Sequence, residues 1–220
     1  MAAPEGGTHV IRVGIADDHP VVRSGLRALL SSCDDMTVVG EARDGRETRA
    51  LALDVRPHVL IMDLMMPGYS ALDLMTTLRE RASGVAVMVY TGYPAEHYGP
   101  ALLRDGARAY LGKDCDPSEV LAAIRALHAG RRYITSDMAG VLAQRSSTQT
   151  SEAAPHHSLT PREFQIFLKL AQGDSPAHIA DALCVSAKTI STHKARIMAK
   201  MDLHSNSELT YYATKRRLLR

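Results

Sequence analysis

Short apolar runs alternate with amphipathic stretches along the first 130 residues of the chain. Within those stretches, apolar residues return at the three- and four-residue spacing of one helix face, as Leu72, Met75 and Leu78 do. Five β/α units of this kind predict a parallel, doubly wound sheet, because parallel strands need crossover helices. The strand-like runs are Val10–Ala16, Met36–Val39, Val59–Met62, Ala86–Tyr90 and Ala109–Leu111.

Helical patterns fill the rear of the chain. Thr160 and Glu163 form a capping box, and Pro161 between them occupies the first helical position, so a helix is predicted to begin here. Similar start signals recur further along and indicate a small all-α domain of four helices. The predicted helices run from Pro161 to Ala171, from Pro176 to Leu183, from Ser186 to about Met201, and from Ser205 toward Lys215.

Between Arg145 and His157 the composition changes to Ser, Thr, Gln, Glu, Ala, Pro and His, without any periodicity. Such composition is typical of a linker. We therefore divide the chain into a first domain (residues 9–130), a linker (131–157) and a second domain (158–220). No Cys or acidic residue stands in register with His156 and His157, so we interpret this pair as solvated linker residues rather than a metal site.

Composition places the chain among proteins of a reducing compartment. Its longest apolar stretches are strand-sized, far from the roughly 18 residues of a membrane span. The segment Met1–Thr8 lacks the basic start and apolar core of a secretory signal. Cys33, Cys115 and Cys184 are widely spaced, which favours reduced thiols over a disulfide frame or zinc site. We expect a cytoplasmic protein that does not meet a membrane.

The formal net charge of +2 hides an asymmetry between the two parts of the chain. Residues 9–130 hold 13 Lys and Arg against 16 Asp and Glu, a net charge of −3. Residues 155–220 hold 10 against 5, a net charge of +5. A basic rear suggests that only this part meets a polyanion. Solvated surface charge also varies by a few units between any two halves of a protein.

Polar residues follow four of the predicted strands, at the point where each strand ends. They are Asp17 with Asp18, then Asp63, Thr91 and Lys113. The carboxyl ends of parallel strands meet at the edge where open α/β sheets bind ligands, so these side chains are expected to lie together. A carboxylate nucleophile, hard oxygen ligands for Mg²⁺, a hydroxyl donor and an ammonium are the groups needed to receive a phosphoryl group.

These residues belong to four motifs that resemble the flavodoxin-like receiver domain of two-component response regulators. The motifs are Ala16-Asp17-Asp18-His19-Pro20, Met62-Asp63-Leu64-Met65-Met66-Pro67-Gly68, Tyr90-Thr91-Gly92 and Leu111-Gly112-Lys113-Asp114. The resemblance covers about residues 9 to 130. It implies that Asp63 accepts a phosphoryl group from a sensor histidine kinase.

The resemblance also implies roles for the neighbours of Asp63. Asp17, Asp18 and Asp63 would hold Mg²⁺, and the backbone carbonyl of Met65 would complete the metal site. Thr91 and Lys113 would bind the phosphoryl group. Thr91 would also pair with Tyr110 as a switch, the ring of Tyr110 turning inward. Taken singly, each residue has an ordinary structural reading, since an Asp at a strand end is usually a cap and a lone Tyr is usually a core aromatic.

In the rear domain, Leu183-Cys184-Val185 forms a tight turn between two predicted helices, the arrangement that enters a DNA major groove. An ordinary helix bundle with one solvated basic helix is the alternative. The candidate recognition helix is Ser186–Met201. Lysines on its outward arc suit phosphate contacts, and Ser and Thr can reach base edges. The predicted DNA-binding residues are Lys188, Thr189, Ser191, Thr192, Lys194 and Ala195.

The motifs of this part resemble the LuxR-type helix-turn-helix, and the whole chain resembles a response regulator of the NarL/FixJ family. The motifs include Leu159-Thr160-Pro161-Arg162-Glu163, Val185-Ser186 and Lys188-Thr189-Ile190. This resemblance implies that the fourth helix, with Tyr211 and Tyr212, pairs two output domains on DNA. We therefore predict a homodimeric transcription regulator that binds double-stranded promoter DNA, with RNA polymerase as a further partner.

Two other functions are compatible with part of this pattern. A phosphohydrolase with an aspartyl nucleophile also uses Asp, Thr, Lys and Mg²⁺. Enzymes of that family, however, carry a second acid two residues after the nucleophile. This chain has Met65 there, so we expect no enzyme. The other candidate is a receiver that works by protein contacts alone, which the acid pair and Lys113 argue against.

Overall fold

The structure is a computed structural model, and it describes residues 10–68, 71–147, 154–216 and 218–219. Among these residues, five parallel strands form one sheet in the order β2-β1-β3-β4-β5. This is the flavodoxin-like strand order, so the predicted fold class is confirmed. The strands are β1 (Ile11–Ala16), β2 (Met36–Ala42), β3 (Val59–Met62), β4 (Ala86–Thr91) and β5 (Ala109–Gly112).

Helices cover both faces of the sheet. The alternation of side chains along β3 shows why: Val59 and Ile61 join the core under α1 and α5, and Leu60 and Met62 join the core under α2 to α4. All four residues of β3 are buried, as expected for a parallel strand covered on both sides. The helices are α1 (Pro20–Ser31), α2 (Gly45–Ala50, continued by a π-helical turn, Leu51–Val55), α3 (Ala71–Arg81), α4 (Ala95–Arg104) and α5 (Pro117–His128).

Three strands, β2, β4 and β5, extend beyond their predicted ends. The observed β2 continues for three residues past Val39, because Gly40, Glu41 and Ala42 pair with Gly14, Ile15 and Ala16 of β1. The apolar pattern did not predict this extension, because Gly40 and Glu41 interrupt the apolar run. The strand β4 includes Thr91, whose partner in β5 is Gly112. Thr91 therefore closes the strand instead of following it.

A helix lies inside the predicted linker. This helix, α6 (Ser136–Ser147), packs on α4, and Met138 within it is 1% exposed. A Cβ atom on Gly99 of α4 would collide with the Met138 side chain, so the glycine permits the close approach. Residues 148–153 of the predicted linker lie outside the described residues.

The solvated interpretation of His156 is wrong. Pro155–Ser158 form a short 3₁₀ turn, and His156 in it is 5% exposed. Its ring stacks on Phe164 with a centroid separation of 6.1 Å, and its Nδ1 lies 2.6 Å from the Tyr212 hydroxyl. Tyr212 is 56 residues further along the chain, so this contact cannot be predicted from local composition. His157, by contrast, is exposed.

The rear of the chain is helical, as its start signals predict. Side chains of Thr160, Ser175, Ser186 and Ser205 each accept a hydrogen bond at the start of a helix, and Thr160 with Glu163 completes a capping box. The helices are α7 (Pro161–Ala171), α8 (Pro176–Ala182), α9 (Ala187–Met201) and α10 (Asn206–Lys215). Among the described residues, none of these ten helices is both long and apolar enough to cross a bilayer.

The two domains pack against each other through contacts that include a ring pair and a backbone hydrogen bond. The rings of Tyr98 on α4 and Phe164 on α7 meet edge to face, with centroids 5.5 Å apart. The amide of Gly68, in the loop after β3, donates a 2.7 Å hydrogen bond to the carbonyl of Ala182 at the end of α8. Both residues on the receiver side belong to the face that carries α3 and α4.

Candidate functional site

The candidate site lies at the carboxyl ends of β1 and β3, where the strand order of the sheet reverses direction. Loops leave the sheet to opposite sides at this point, which opens a crevice that ligands of such folds occupy. Asp17 and Asp18 follow β1, and Asp63 follows β3. A backbone hydrogen bond of 2.9 Å from the Asp63 amide to the Ala16 carbonyl holds the two strand ends side by side.

Asp63 is 4% exposed and has a partner on each carboxylate oxygen. Its Oδ1 accepts a 2.7 Å hydrogen bond from the Leu64 amide. Its Oδ2 lies 3.0 Å from Nζ of Lys113, the residue after β5. The carboxylate is therefore oriented from both sides, and one oxygen is tied to the loop that begins at Leu64.

Lys113 also reaches the first acid of the pair. Its Nζ lies 2.6 Å from Oδ2 of Asp17, which is 1% exposed. The backbone of Asp17 is anchored as well, because the Arg23 guanidinium donates a 2.7 Å hydrogen bond to its carbonyl. One ammonium thus bridges two buried carboxylates from neighbouring strands.

Burial and charge shift the pKa values of this group in opposite ways. Burial raises the pKa of Asp63, and Lys113 lowers it, with the net result above the ordinary value. Burial alone would lower the pKa of Lys113, but Asp63 and Asp17 raise it above its ordinary value. Lys113 therefore stays charged, and burial is the main reason why the pKa of Asp63 lies above its ordinary value.

The residues fit a divalent cation. Ligand atoms of Asp17, Asp18, His19 and Asp63 lie within 4.8 Å of one another. Three carboxyl groups share a single ammonium partner, Lys113, which contacts Asp17 and Asp63. The Oδ1 atom of Asp18 is buried and has no hydrogen-bond partner among the described residues. Receiver domains in general bind Mg²⁺ at such an acidic pocket, and hard oxygen donors are what that ion prefers.

The other predicted pocket residues surround this cluster. Thr91 is fully buried, and its hydroxyl has no hydrogen-bond partner among the described residues. Tyr110 is 3% exposed and points inward, because its hydroxyl donates a 2.8 Å hydrogen bond to the Tyr93 carbonyl at the start of the loop before α4. Met65, the second residue of the loop after Asp63, is half-buried.

His19 also lies beside the acidic group, although no role was predicted for it. It is the N-cap residue of α1, but its side chain caps no amide of that helix. Its Nδ1 lies 2.8 Å from Oδ1 of Asp18 and 3.2 Å from Oδ1 of Asp17. A His directly after two adjacent acids was the available signal, since all three side chains leave the same strand end.

The candidate DNA-binding surface is the exposed face of α9. Ile190, Ile197 and Met201 face the core of the output domain. At 100° per residue, Lys188, Thr192 and Ala195 lie on the opposite side, and all three are exposed. Ser191 is exposed beside them, and Thr189 is exposed at the start of the helix. The receiver domain leaves this face uncovered.

Two details modify the predicted DNA-binding set. Lys194 lies at the margin of the apolar side and is half-buried, whereas Arg196, which the sequence analysis passed over, is exposed. The hydroxyls of Ser191 and Thr192 each donate a 3.0 Å hydrogen bond to a carbonyl of their own helix. They keep lone pairs that can accept from a base edge, so their recognition would favour donor groups.

The structure separates the two tyrosines predicted for the dimer helix. Tyr211 is 67% exposed on α10. Tyr212 is half-buried and bonded to His156, and its ring meets Phe167 at 6.3 Å. Tyr211 therefore lies on the open surface, and Tyr212 belongs to the core of its own domain.

Two family descriptions match this chain. Residues 13–125 match the response regulator receiver domain, and residues 157–213 match the bacterial regulatory proteins of the luxR family. The first match contains the whole acidic pocket, and the second contains α7 to α9 and most of α10.

Full-length relatives show the same combination. The oxygen regulatory protein NreC of Staphylococcus haemolyticus is 37% identical over 95% of this chain and 99% of its own length. The response regulator GacA of Pseudomonas protegens is 35% identical over 94% of this chain and 96% of its own. The transcriptional regulatory protein LiaR of Bacillus subtilis is 33% identical over 96% of this chain and all of its own.

Solved structures agree with these relatives. The RcsB response regulator of Salmonella typhimurium matches with a TM-score of 0.76 and 27% identity, over 94% of this chain and 98% of that one. RcsB of Salmonella enterica serovar Typhimurium bound to promoter rprA with the phosphomimetic BeF3- matches with a TM-score of 0.70 and 26% identity, over 93% and 98%. The chain belongs to the NarL/FixJ family of response regulators, in which a receiver domain is joined to a LuxR-type DNA-binding domain.

Proposed function

We propose that Asp63 is the phosphoacceptor of this regulator and that its phosphorylation controls how the output domain binds promoter DNA. The observation that carries the proposal is the placement of Asp63. It is a buried carboxylate at the switch point of the sheet, and it is held by Lys113 at 3.0 Å and surrounded by two further acids. A phosphoryl acceptor needs this combination of orientation and charge compensation.

The reaction takes a phosphoryl group from the phosphohistidine of a sensor kinase. An oxygen of the Asp63 carboxylate attacks the phosphorus, a P–O bond forms, the P–N bond breaks, and the electron pair leaves with the imidazole. The carboxylates of Asp17, Asp18 and Asp63 and the Met65 carbonyl would hold Mg²⁺, which supplies positive charge against the phosphoryl oxygens. Lys113 supplies a further charge at a fixed position.

Thr91 supplies the remaining donor. Its hydroxyl is fully buried at the end of β4 and faces the Asp63 carboxyl, so it can donate to an oxygen of a phosphoryl group on that carboxyl. The rotation of the Thr91 side chain would change the surroundings of Tyr110, whose hydroxyl is bonded to the Tyr93 carbonyl. The segment from Thr91 to α4 therefore responds to the modified Asp63.

The response would reach the output domain through contacts between the two domains. They include the ring contact of Tyr98 with Phe164 and the hydrogen bond from Gly68 to Ala182. Both begin on segments that adjoin the acceptor site, the start of α4 and the loop after Asp63. Phosphorylation would thus change how the two domains are held together, a switch between two packed arrangements.

The partners follow from the relatives. RcsB has been captured on promoter DNA with a phosphomimetic, and we carry promoter DNA over to this chain through the exposed face of α9. Two copies paired through α10 would bind two half-sites, which raises affinity through effective concentration. The sensor histidine kinase and RNA polymerase are the protein partners we expect, in the cytoplasm.

The direct test is transfer of labelled phosphate in Mg²⁺, from the cognate kinase or from acetyl phosphate. The variant Asp63→Asn keeps the shape of the side chain but removes the nucleophile, so labelling should be lost. Asp137→Asn, an exposed acid in the first turn of α6, is the matched control and should be labelled like the wild type. Normal labelling of Asp63→Asn would refute the acceptor assignment.

We expect the phosphoprotein to be long-lived rather than part of a turnover cycle. The residue two positions past the acceptor is Met65, whose apolar side chain cannot orient or deprotonate a hydrolytic water. Steady hydrolysis of small phosphoesters by the purified protein would instead support a phosphohydrolase. Loss of most of the label within seconds of its transfer would contradict the slow decay.

A further inference from the structure

We propose that His19 provides a nitrogen ligand to the acidic pocket, so that the pocket binds borderline transition-metal ions such as Co²⁺, Fe²⁺ or Zn²⁺ more tightly than its carboxylates alone would. This inference rests on the proposed function in one respect, since the pocket is the metal site of Asp17, Asp18 and Asp63. It adds a donor of another chemical kind, and with it a second class of ion that competes with Mg²⁺.

The spacing of the donor atoms is that of metal ligands. Nδ1 of His19 lies 2.8 Å from Oδ1 of Asp18 and 3.2 Å from Oδ1 of Asp17. Adjacent ligands of an octahedral ion with bonds of 2.0–2.1 Å lie about 3.0 Å apart. The nitrogen therefore stands where a further ligand beside both carboxylates would stand. All four side chains of the group, Asp63 included, offer atoms within 4.8 Å of one another.

The contact between His19 and Asp18 is not explained by a hydrogen bond. Although the two atoms are 2.8 Å apart, Oδ1 of Asp18 is a buried atom without a hydrogen-bond partner among the described residues. The hydrogen bond of this nitrogen is to Asp17, since Nδ1 of His19 lies 3.2 Å from Oδ1 of Asp17. The second carboxylate oxygen beside it therefore stays open to a cation.

Helix capping does not explain His19 either. The residue is the N-cap of α1, a position that favours Ser, Thr, Asp or Asn, and its side chain makes no capping hydrogen bond. Its ring is 66% exposed, so it contributes little to the core. Its ring instead faces the two acids that follow β1 and is hydrogen-bonded to Asp17.

An independent observation also points to a ligand at this edge of the sheet. Thr91 is fully buried, and its hydroxyl lacks a partner among the described residues. Burial raises the pKa of Asp63, and the nearby Thr91 side chain offsets a small part of that rise. A buried donor is costly when it is unpaired, and a bound anion beside a metal would satisfy it.

The donor set determines which ions the pocket prefers. Carboxylates and water suit Mg²⁺, Ca²⁺ and Mn²⁺, whereas imidazole suits Zn²⁺, Fe²⁺ and Ni²⁺. Affinity for a mixed nitrogen and oxygen site rises from Mn²⁺ through Fe²⁺ to Co²⁺. A neutral nitrogen adds affinity for these ions without adding negative charge, so it should change affinity for Mg²⁺ little.

The test compares Co²⁺ and Mg²⁺ on the full chain, with His19→Asn as the variant. Asparagine places an amide oxygen at the position of Nδ1 and is a favoured N-cap residue, so the variant keeps both the fold and a hard donor. Titration calorimetry gives both affinities, and the visible absorption of Co²⁺ reports the nitrogen ligand. His204→Gln, an exposed histidine 3.9 Å from Asp202, controls for binding to surface imidazoles.

We expect His19→Asn to lower Co²⁺ affinity at least about tenfold and to leave Mg²⁺ affinity within about twofold. His204→Gln should bind both ions like the wild type. An unchanged Co²⁺ affinity in His19→Asn, or an equal fall for both ions, overturns the inference. Labelling of His19→Asn by acetyl phosphate in Mg²⁺ is read separately, because it depends on Asp63 and tests the proposed function alone.

Discussion

The amide of Gly68 donates a 2.7 Å hydrogen bond to the carbonyl of Ala182, which ties the loop after Asp63 to the first helix of the helix-turn-helix. Gly68 has a φ of +93°, a conformation that glycine adopts without strain. A Cβ atom at this position would stand 3.3 Å from the Gly45 amide. The loop is therefore fitted between α2 on one side and α8 on the other. Since Asp63 bonds the Leu64 amide at the start of the same loop, acceptor and output domain are only a few residues apart.

The ring contact between Tyr98 and Phe164 should hold the two domains together. Tyr98→Ala removes a side chain that is 4% exposed, so we expect a loss of about 3 kcal/mol in the free energy of unfolding and a larger radius of gyration by X-ray scattering. Tyr98→Phe keeps the ring and removes a buried hydroxyl without a partner among the described residues. The free energy of unfolding of Tyr98→Phe should lie between the wild-type value and about 1 kcal/mol above it. An unaltered radius in the alanine variant would show that this contact does not hold the domains together.

The output domain should lose stability in mild acid because of His156. Burial lowers the pKa of His156 from 6.5 to about 4, helped by the charges of His157 and Arg216. Between those two values the unfolded chain binds more protons than the folded chain. The contribution of His156 to the free energy of unfolding is therefore fully present above pH 6.5. It falls as the pH drops toward 4, by at most about 1.4 kcal/mol per pH unit.

Chemical denaturation at several pH values measures this slope. His156→Gln should flatten it, because glutamine does not titrate. His178→Gln, which changes an exposed histidine on α8, should keep the wild-type slope. The same slope in wild type and His156→Gln would assign the acid sensitivity to other groups.

Local patterns predicted most of the receiver and its pocket. Residues at strand ends needed only the order of the strands to be brought together, as Asp63 and Lys113 show at 3.0 Å. Tertiary contacts were beyond such patterns. The burial of His156 depends on Phe164 and Tyr212, and nothing in the composition of residues 145–157 marks it. For His19 the sequence offers one signal, its place directly after two acids, but the partners of its side chain also depend on the angle at which the loop leaves the sheet.

Lys188 and Lys194 should contribute unequally to DNA binding. Lys188 is exposed at the centre of the outward face of α9, and Lys194 is half-buried at its margin. Lys188→Ala should weaken binding to all sequences alike and reduce the slope of log affinity against log salt by about 1. Lys194→Ala should change that slope less. Fluorescence anisotropy at several salt concentrations measures both, with Arg132→Ala, an exposed cation between α5 and α6, as the control. Equal effects of the two substitutions would place Lys194 in the interface after all.

The two adjacent tyrosines of α10 should separate dimerisation from stability. Tyr211 is 67% exposed, and the Lys215 ammonium lies 5.8 Å from its ring centre. Tyr211→Ala should therefore leave the unfolding free energy within about 0.5 kcal/mol of the wild type. If α10 pairs two output domains, Tyr211→Ala should also lower the cooperativity of binding to DNA with two half-sites. Its binding to a single half-site should be unchanged.

Tyr212→Ala should behave in the opposite way. It removes the partner of His156 and a ring packed near Phe167, so we expect a loss of about 3 kcal/mol in the stability of the output domain. Thermal unfolding and electrophoretic shifts on one-site and two-site DNA distinguish the two variants. Full cooperativity in Tyr211→Ala would exclude the exposed face of α10 as the dimer contact. A stable Tyr212→Ala would show that the pair with His156 does not hold the Pro155–Ser158 turn in place.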